Sequence, residues 1–124
     1  MSDSFTIQRN PVRIPVPGNK LIEEYLGLAS TGHEAVSVAH MIAPPGWSEP
    51  PQTPRFAEIT IMVRGSMQIT LDGDVHLLHA GEVIHCKPGV TVQYSNPFDE
   101  ENEYWAVCLP AFSPDAAGRD EQAD

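Results

Sequence analysis

Short apolar runs, broken by prolines and glycines, make up most of this chain. Twelve prolines and nine glycines punctuate it, and no segment keeps a helical period of apolar positions over more than a few turns. Evenly spaced short strands with turn signals between them predict an all-β sandwich or barrel. Residues 11–17 alternate in the manner of an edge strand or extended arm, since their prolines keep them out of a sheet centre. Residues 21–28 fit a strand or a short helix. Glu34 to Ala43 reads as a strand, ended by Pro44-Pro45-Gly46. Residues 47–55 contain three more prolines and read as an extended loop or irregular strand.

The second half is more regular. Phe56 to Arg64 is a strand closed by Gly65, and Met67 to Leu71 follows with Met67, Ile69 and Leu71 on one face. Asp72-Gly73 is a hairpin signal, and Val75 to Leu78 is the returning strand. Further short strands are expected at Glu82 to Cys86, Val90 to Ser95 and Glu103 to Leu109, with turns at Ala80-Gly81, Lys87-Pro88-Gly89 and Asn96-Pro97. The tail from Ser113 is acidic and Ala-rich, suited to one helical turn or to fraying. No repeat or linker interrupts the 124 residues, so one domain spanning 1–124 is expected.

Charge narrows the partners. Seven Lys and Arg against 17 Asp and Glu give a formal charge of −10. That sign repels phosphate backbones and anionic lipid, so neither nucleic acid nor a membrane is an expected partner. No apolar run reaches the length of a membrane span, and the start, Met1-Ser2-Asp3-Ser4, lacks the features of an export signal. Cys86 and Cys108 have no CxxC spacing and read as reduced thiols of a cytoplasmic protein. The expected partner is a small-molecule ligand.

Two stretches carry a specific spacing. In the first, 46–65, five residues separate Gly46 from Gln52, one separates Gln52 from Pro54, three separate Pro54 from Glu58, and six separate Glu58 from Gly65. In the second, 81–96, Gly81, Lys87, Gly89, Val92 and Asn96 follow with five, one, two and three residues between them. These spacings resemble the paired motifs of the cupins, the RmlC-like jelly rolls. The resemblance implies a double-stranded β-helix (jelly-roll) barrel with a pocket in one end, and a homodimer pairing through edge strands or the N-terminal arm, with 11–17 and 21–28 as candidates. In that family three histidines and a glutamate at these positions usually hold a divalent metal. Here the positions carry Gln52, Pro54, Glu58 and Val92, of which only Glu58 is a strong ligand. No metal and no other cofactor is therefore expected, since a tight site needs three or four N, O or S donors.

Strand alternation predicts the pocket. Glu58 interrupts an apolar strand, where a charge is costly unless partnered or functional. With Glu58 inward, Thr60 and Met62 are inward too, and the second motif turns Val92 and Tyr94 the same way. Glu103, Trp105 and Val107 share one face of the last strand; Tyr104, Ala106 and Cys108 share the other, which reads as interior packing or an interface. The expected pocket comprises Gln52, Glu58, Tyr94 and Glu103, walled by Met62, Val92 and Trp105, with His40 as a further member. Glu58 and Glu103 would form an acid/base pair in which proximity raises one carboxyl. His76 and His79 read as exposed. A finer resemblance, to metal-independent cupin dehydratases of nucleoside-antibiotic biosynthesis, rests on Asn19-Lys20 and on Leu109-Pro110-Ala111-Phe112 before an acidic stretch. It implies Lys20 as a substrate-contacting cation, while Trp47 stands where that group has its catalytic histidine.

Three functions are open at this stage. One is a metal-independent lyase, dehydratase or isomerase with Glu58 as base and Tyr94 or Glu103 as acid. The second is a non-catalytic ligand-binding or accessory cupin. The third is a weak metal enzyme rebuilt from Glu58, Gln52 and His40.

Overall fold

A computed structural model describes residues 4–118. Nine strands follow in chain order: β1 Val12–Arg13, β2 Leu21–Leu26, β3 Ser37–Ala43, β4 Ala57–Arg64, β5 Ser66–Leu71, β6 Asp74–His79, β7 Val83–Cys86, β8 Val92–Ser95 and β9 Asn102–Leu109. One helical turn, α1 Pro114–Ala117, ends the described chain. Ser113 caps it by accepting a hydrogen bond from Ala116 N. The 21–28 ambiguity resolves as strand, because Leu21–Leu26 pairs with both β1 and β3.

Two antiparallel sheets face each other. The larger has the order β1-β2-β3-β9-β4-β7 and the smaller β6-β5-β8. The proline-rich stretch after β3 runs beside β8, touching it through bridges at Ser48–Ser95 and Gln52–Val92. Between the sheets lies an apolar core that includes Trp47, Met62, Met67, Ile69 and Val92. A second cluster of Phe56, Cys108 and Ala117 closes the end under α1.

The motif residues that bear no chemistry hold the frame. Asn96 is fully buried, and its Nδ2 donates to the carbonyls of Ala43, Pro44 and Glu100 at 3.2, 3.2 and 2.8 Å. Gly65 joins β4 to β5 with φ +77°, and a Cβ there would lie 2.9 Å from the Glu101 carbonyl oxygen. Gly89 also has positive φ, +87°, but open space around it. Its N–H donates to the Pro54 carbonyl at 2.8 Å, tying the two motifs together.

Cys86 and Cys108 are both free and buried. Each pairs in register with Glu58 from opposite sides, so β4 lies between them. Two strand spacings, close to 10 Å, exceed the roughly 7 Å reach of a disulfide.

Gly65→Ala should cost about 2 kcal/mol or more in urea unfolding, since strain and backbone overlap add. Gly89→Ala, strained but unobstructed, should cost clearly less. Equal losses would show that the contact with Glu101 is unimportant.

Candidate functional site

Alternation on five strands and the course of the N-terminal arm leave a cavity of about 450 Å³ between the sheets. Its floor is the inward face of the larger sheet. Glu24 enters from β2, Ser37 and Met41 from β3, Glu58 and Thr60 from β4, and Tyr104 and Cys108 from β9. Tyr94 faces them from β8 in the other sheet, and Gln52 and Glu49 come from the proline-rich stretch. Ile14, Pro15 and Val16 of the arm cover one side. After Gly18 and Asn19, both at positive φ, the chain delivers Lys20 to the wall.

Glu58 is 8% exposed and enters this floor from β4, beside the edge strand β7. Tyr94 Oη donates to its Oε1 at 2.8 Å, a hydrogen bond that crosses from the smaller sheet to the larger. The Cys108 thiol donates to Oε2 at 3.7 Å. Burial pushes the Glu58 carboxyl above its ordinary range, and the Tyr94 hydrogen bond, the Lys20 charge and the Cys108 thiol only partly oppose that. Tyr94 is itself pushed well up, by burial first and then by the Glu58 charge, so its phenol stays protonated. Thr60 Oγ1 donates to Tyr94 Oη at 3.5 Å. Burial and the Glu58 charge also raise the Cys108 thiol far out of the reactive range. Lys20 Nζ lies 3.8 Å from the Trp47 ring centre and 5.1 Å from that of Tyr104, a cation–π arrangement.

Four of the sequence-predicted residues therefore meet at the cavity: Gln52, Glu58, Tyr94 and Lys20. The others do not. Glu103 and Trp105 lie on the opposite face of β9, because the register sets Cys108 beside Glu58 and so turns Tyr104, Ala106 and Cys108 inward. His40 is likewise outside, since Ser37, Ala39, Met41 and Ala43 take the inner face of β3. On the outer face His40 Nδ1 meets Glu23 at 3.0 Å and Nε2 meets Glu103 at 2.7 Å, with the imidazole 5.0 Å from the Trp105 ring. Burial pulls His40 down, but the hydrogen bonds to Glu103 and Glu23 outweigh it and the net shift is upward. Glu103 is lowered, chiefly by the His40 hydrogen bond and further by Arg64. Glu58 and Glu103 thus occupy opposite faces of the sheet and form no acid/base pair. Met62 and Val92 do point inward, each 1% exposed, but they belong to the packed core and do not line the cavity.

Glu24 is the cavity residue that alternation did not find. It is 5% exposed, its Oε2 accepts from Ser30 N at 2.8 Å, and Gly27 leaves space beside its carboxylate. With 21–28 open between strand and helix, its face had no assignment. Tyr104, Ala106 and Cys108, the face of β9 that reads as interior packing or an interface, line the cavity as well.

The positions at which the family usually holds a metal are brought together without the donors. Gln52 and Val92 exchange backbone hydrogen bonds at 2.9 and 2.8 Å, so the local frame is that of a ligand pair. Pro54 and Val92 nevertheless offer no side-chain donor, and no group of three or more His, Cys, Asp or Glu among the described residues is placed to hold an ion. This donor set does not fit a divalent metal.

Two facing antiparallel sheets, two glycine-bounded motifs and an enclosed pocket define a small double-stranded β-helix barrel. The chain belongs to the cupin-domain family, whose pattern matches residues 39–108. It is similar to a Cupin 2 conserved barrel domain protein from Salinispora arenicola, at 23% identity and TM-score 0.69 over 85% of this chain and 90% of that one. An RmlC-like cupin with a double-stranded β-helix fold from Methanocaldococcus jannaschii matches at 21% identity and TM-score 0.67, over 86% and 94%. A variant oxalate decarboxylase from Bacillus subtilis matches at 17% identity and TM-score 0.74, over 94% of this chain and 34% of that one. These likenesses show the fold. In sequence, the chain is 44% identical over 104 residues to a Myxococcus xanthus protein named endoribonuclease YbeY. That match takes in 84% of this chain but only 35% of the relative's length.

The upward shift of Glu58 fixes the sign of a pH effect. A carboxyl raised on folding stabilises the native state below its unfolded value, and that contribution is lost as pH rises through the folded value. Glu58→Gln removes the penalty and keeps an acceptor for Tyr94. The variant should melt higher than the parent above neutrality, with the gain shrinking towards pH 4. A gain that grows on acidification would show that the Glu58 carboxyl is lowered instead.

Proposed function

We propose that this cupin binds a small polar metabolite in its barrel and acts on it by metal-independent acid/base chemistry, as a lyase, dehydratase or isomerase. The observation that carries this reading is Glu58: a buried carboxyl, raised by desolvation, aimed into an enclosed cavity and hydrogen-bonded to a phenol. Raising a carboxyl brings its proton affinity closer to that of the carbon acids and hydroxyls on which such enzymes work. Glu58 takes the proton in its ionised form. Tyr94 has a single hydroxyl hydrogen, held on Glu58 Oε1. As Glu58 takes the substrate proton, the phenol turns that hydrogen to the oxygen on which charge develops. If it gives the proton up, the Glu58 carboxyl restores it. Lys20 at the wall adds a fixed positive charge. Arm residues 14–16 screen the site from water.

A second reading has its own support. The match to one third of a protein named as an endoribonuclease favours a cupin that serves as a ligand-binding accessory module beside a different catalytic unit. RNA cleavage fits this chain poorly, since its charge of −10 repels the RNA backbone. The two readings part on one variant. With an identified ligand, Glu58→Gln should lower turnover by about 10²–10⁴ fold while binding changes little. Unchanged turnover would remove the base, and loss of binding alone would favour the module.

We also infer a homodimer that pairs through an edge strand, here β7 and the face beside it. The outer face of the larger sheet is apolar around Ile61, Val63 and Val83, which are 38, 48 and 57% exposed, and β7 is an edge. Two free buried thiols support a reducing, cytoplasmic setting, and among the described residues no helix is long and apolar enough to cross a membrane. Sedimentation at micromolar concentration should give a dimer that Val83→Lys converts to monomer. A monomeric parent would contradict this.

A further inference from the structure

The cavity wall is unbalanced in charge and in hydrogen bonding. Glu24, Glu49 and Glu58 contribute three carboxylates, against Lys20 as the single cation among the described lining residues. The wall is negative, and it stays negative with Glu58 protonated. The Lys20 ammonium is set against the Trp47 and Tyr104 rings, and its charge already acts on Glu58.

A second, independent observation concerns Gln52. It lines the cavity, is 5% exposed, and its Oε1 is buried without a hydrogen-bond partner among the described residues. A buried acceptor left unpaired is costly. A ligand that brings a donor to it recovers that cost; a ligand made of acceptors does not. The remaining wall, with Met41, Tyr104 and Phe112, is apolar and aromatic and suits a carbon skeleton.

We propose that the cavity takes a small organic cation, an amine carrying a further hydrogen-bond donor on an apolar skeleton. This rests on the cavity being the ligand site, as the proposed function requires, and adds the sign of the ligand. The ammonium loses its water on entry, and the carboxylates of Glu24 and Glu49 replace that solvation. An anionic ligand would face three carboxylates with one ammonium to offset them.

Three probes with nearly the same skeleton, each with a phenol as the further donor, separate charge from shape: tyramine, tyrosol and 3-(4-hydroxyphenyl)propanoate. Each is titrated calorimetrically into the full chain. The amine should bind at least about tenfold more tightly than the carboxylate, with the alcohol between them. Glu49→Gln should weaken the amine about tenfold and leave the alcohol within about twofold. Glu24→Gln should do the same; because Glu24 also accepts from Ser30, Glu49→Gln decides the matter if that variant unfolds. Alcohol binding equal to or tighter than the amine, or tightest binding by the carboxylate, overturns the cation and leaves the ligand site standing. Failure of all three to bind overturns both.

Discussion

A carboxylate buried on the inner face of the larger sheet is the constraint on which the rest of this structure depends. An isolated ion there would be prohibitive. Two thiols flank Glu58 in register, Cys86 on β7 and Cys108 on β9, and neither supplies a strong compensating charge. The compensation comes from across the barrel, through the Tyr94 hydroxyl. That bond spans the two sheets exactly where the cavity opens between them. Its loss would leave the acid only the Lys20 charge and the Cys108 thiol, and a metal in its place would need donors that Pro54 and Val92 do not have.

The same sheet carries opposite electrostatics on its two faces. Inside, desolvation raises Glu58. Outside, Glu103 is lowered by His40 and Arg64, while His40 is raised between Glu103 and Glu23. The outer charges satisfy one another in a partly solvated ladder beside Trp105 and Tyr25. The inner acid has the Tyr94 phenol, the Cys108 thiol and the cavity. A desolvated carboxyl with a specific partner, set in a cleft, is the arrangement that marks a candidate functional site.

How far the sequence reveals this varies with the element. The barrel was legible because glycine and asparagine positions recur at fixed spacing, and Gly65, Gly89 and Asn96 prove to hold the turns and the join between motifs. Glu58 and Thr60 were legible because a charge in an apolar strand fixes that strand's faces, and Tyr94 because the second motif turns Val92, and with it Tyr94, inward. β9 was not. Both of its faces are apolar enough to pass for interior, and only pairing register, with Cys108 opposite Glu58, decides between them. Trp105 and His40 looked interior because the outer face of this sheet is itself rich in large side chains. Glu24 was hidden by a segment whose period suits either a strand or a helix, and pairing with β1 and β3 settles that only in three dimensions.

The chemistry of the cavity turns on the proton affinity of Glu58, and carboxyl carbon NMR across pH reads it. With glutamate side chains labelled at Cδ, one resonance should titrate above all the others and vanish in Glu58→Gln. If every glutamate instead titrates in the ordinary carboxylate range, the buried acid is not there and the account fails.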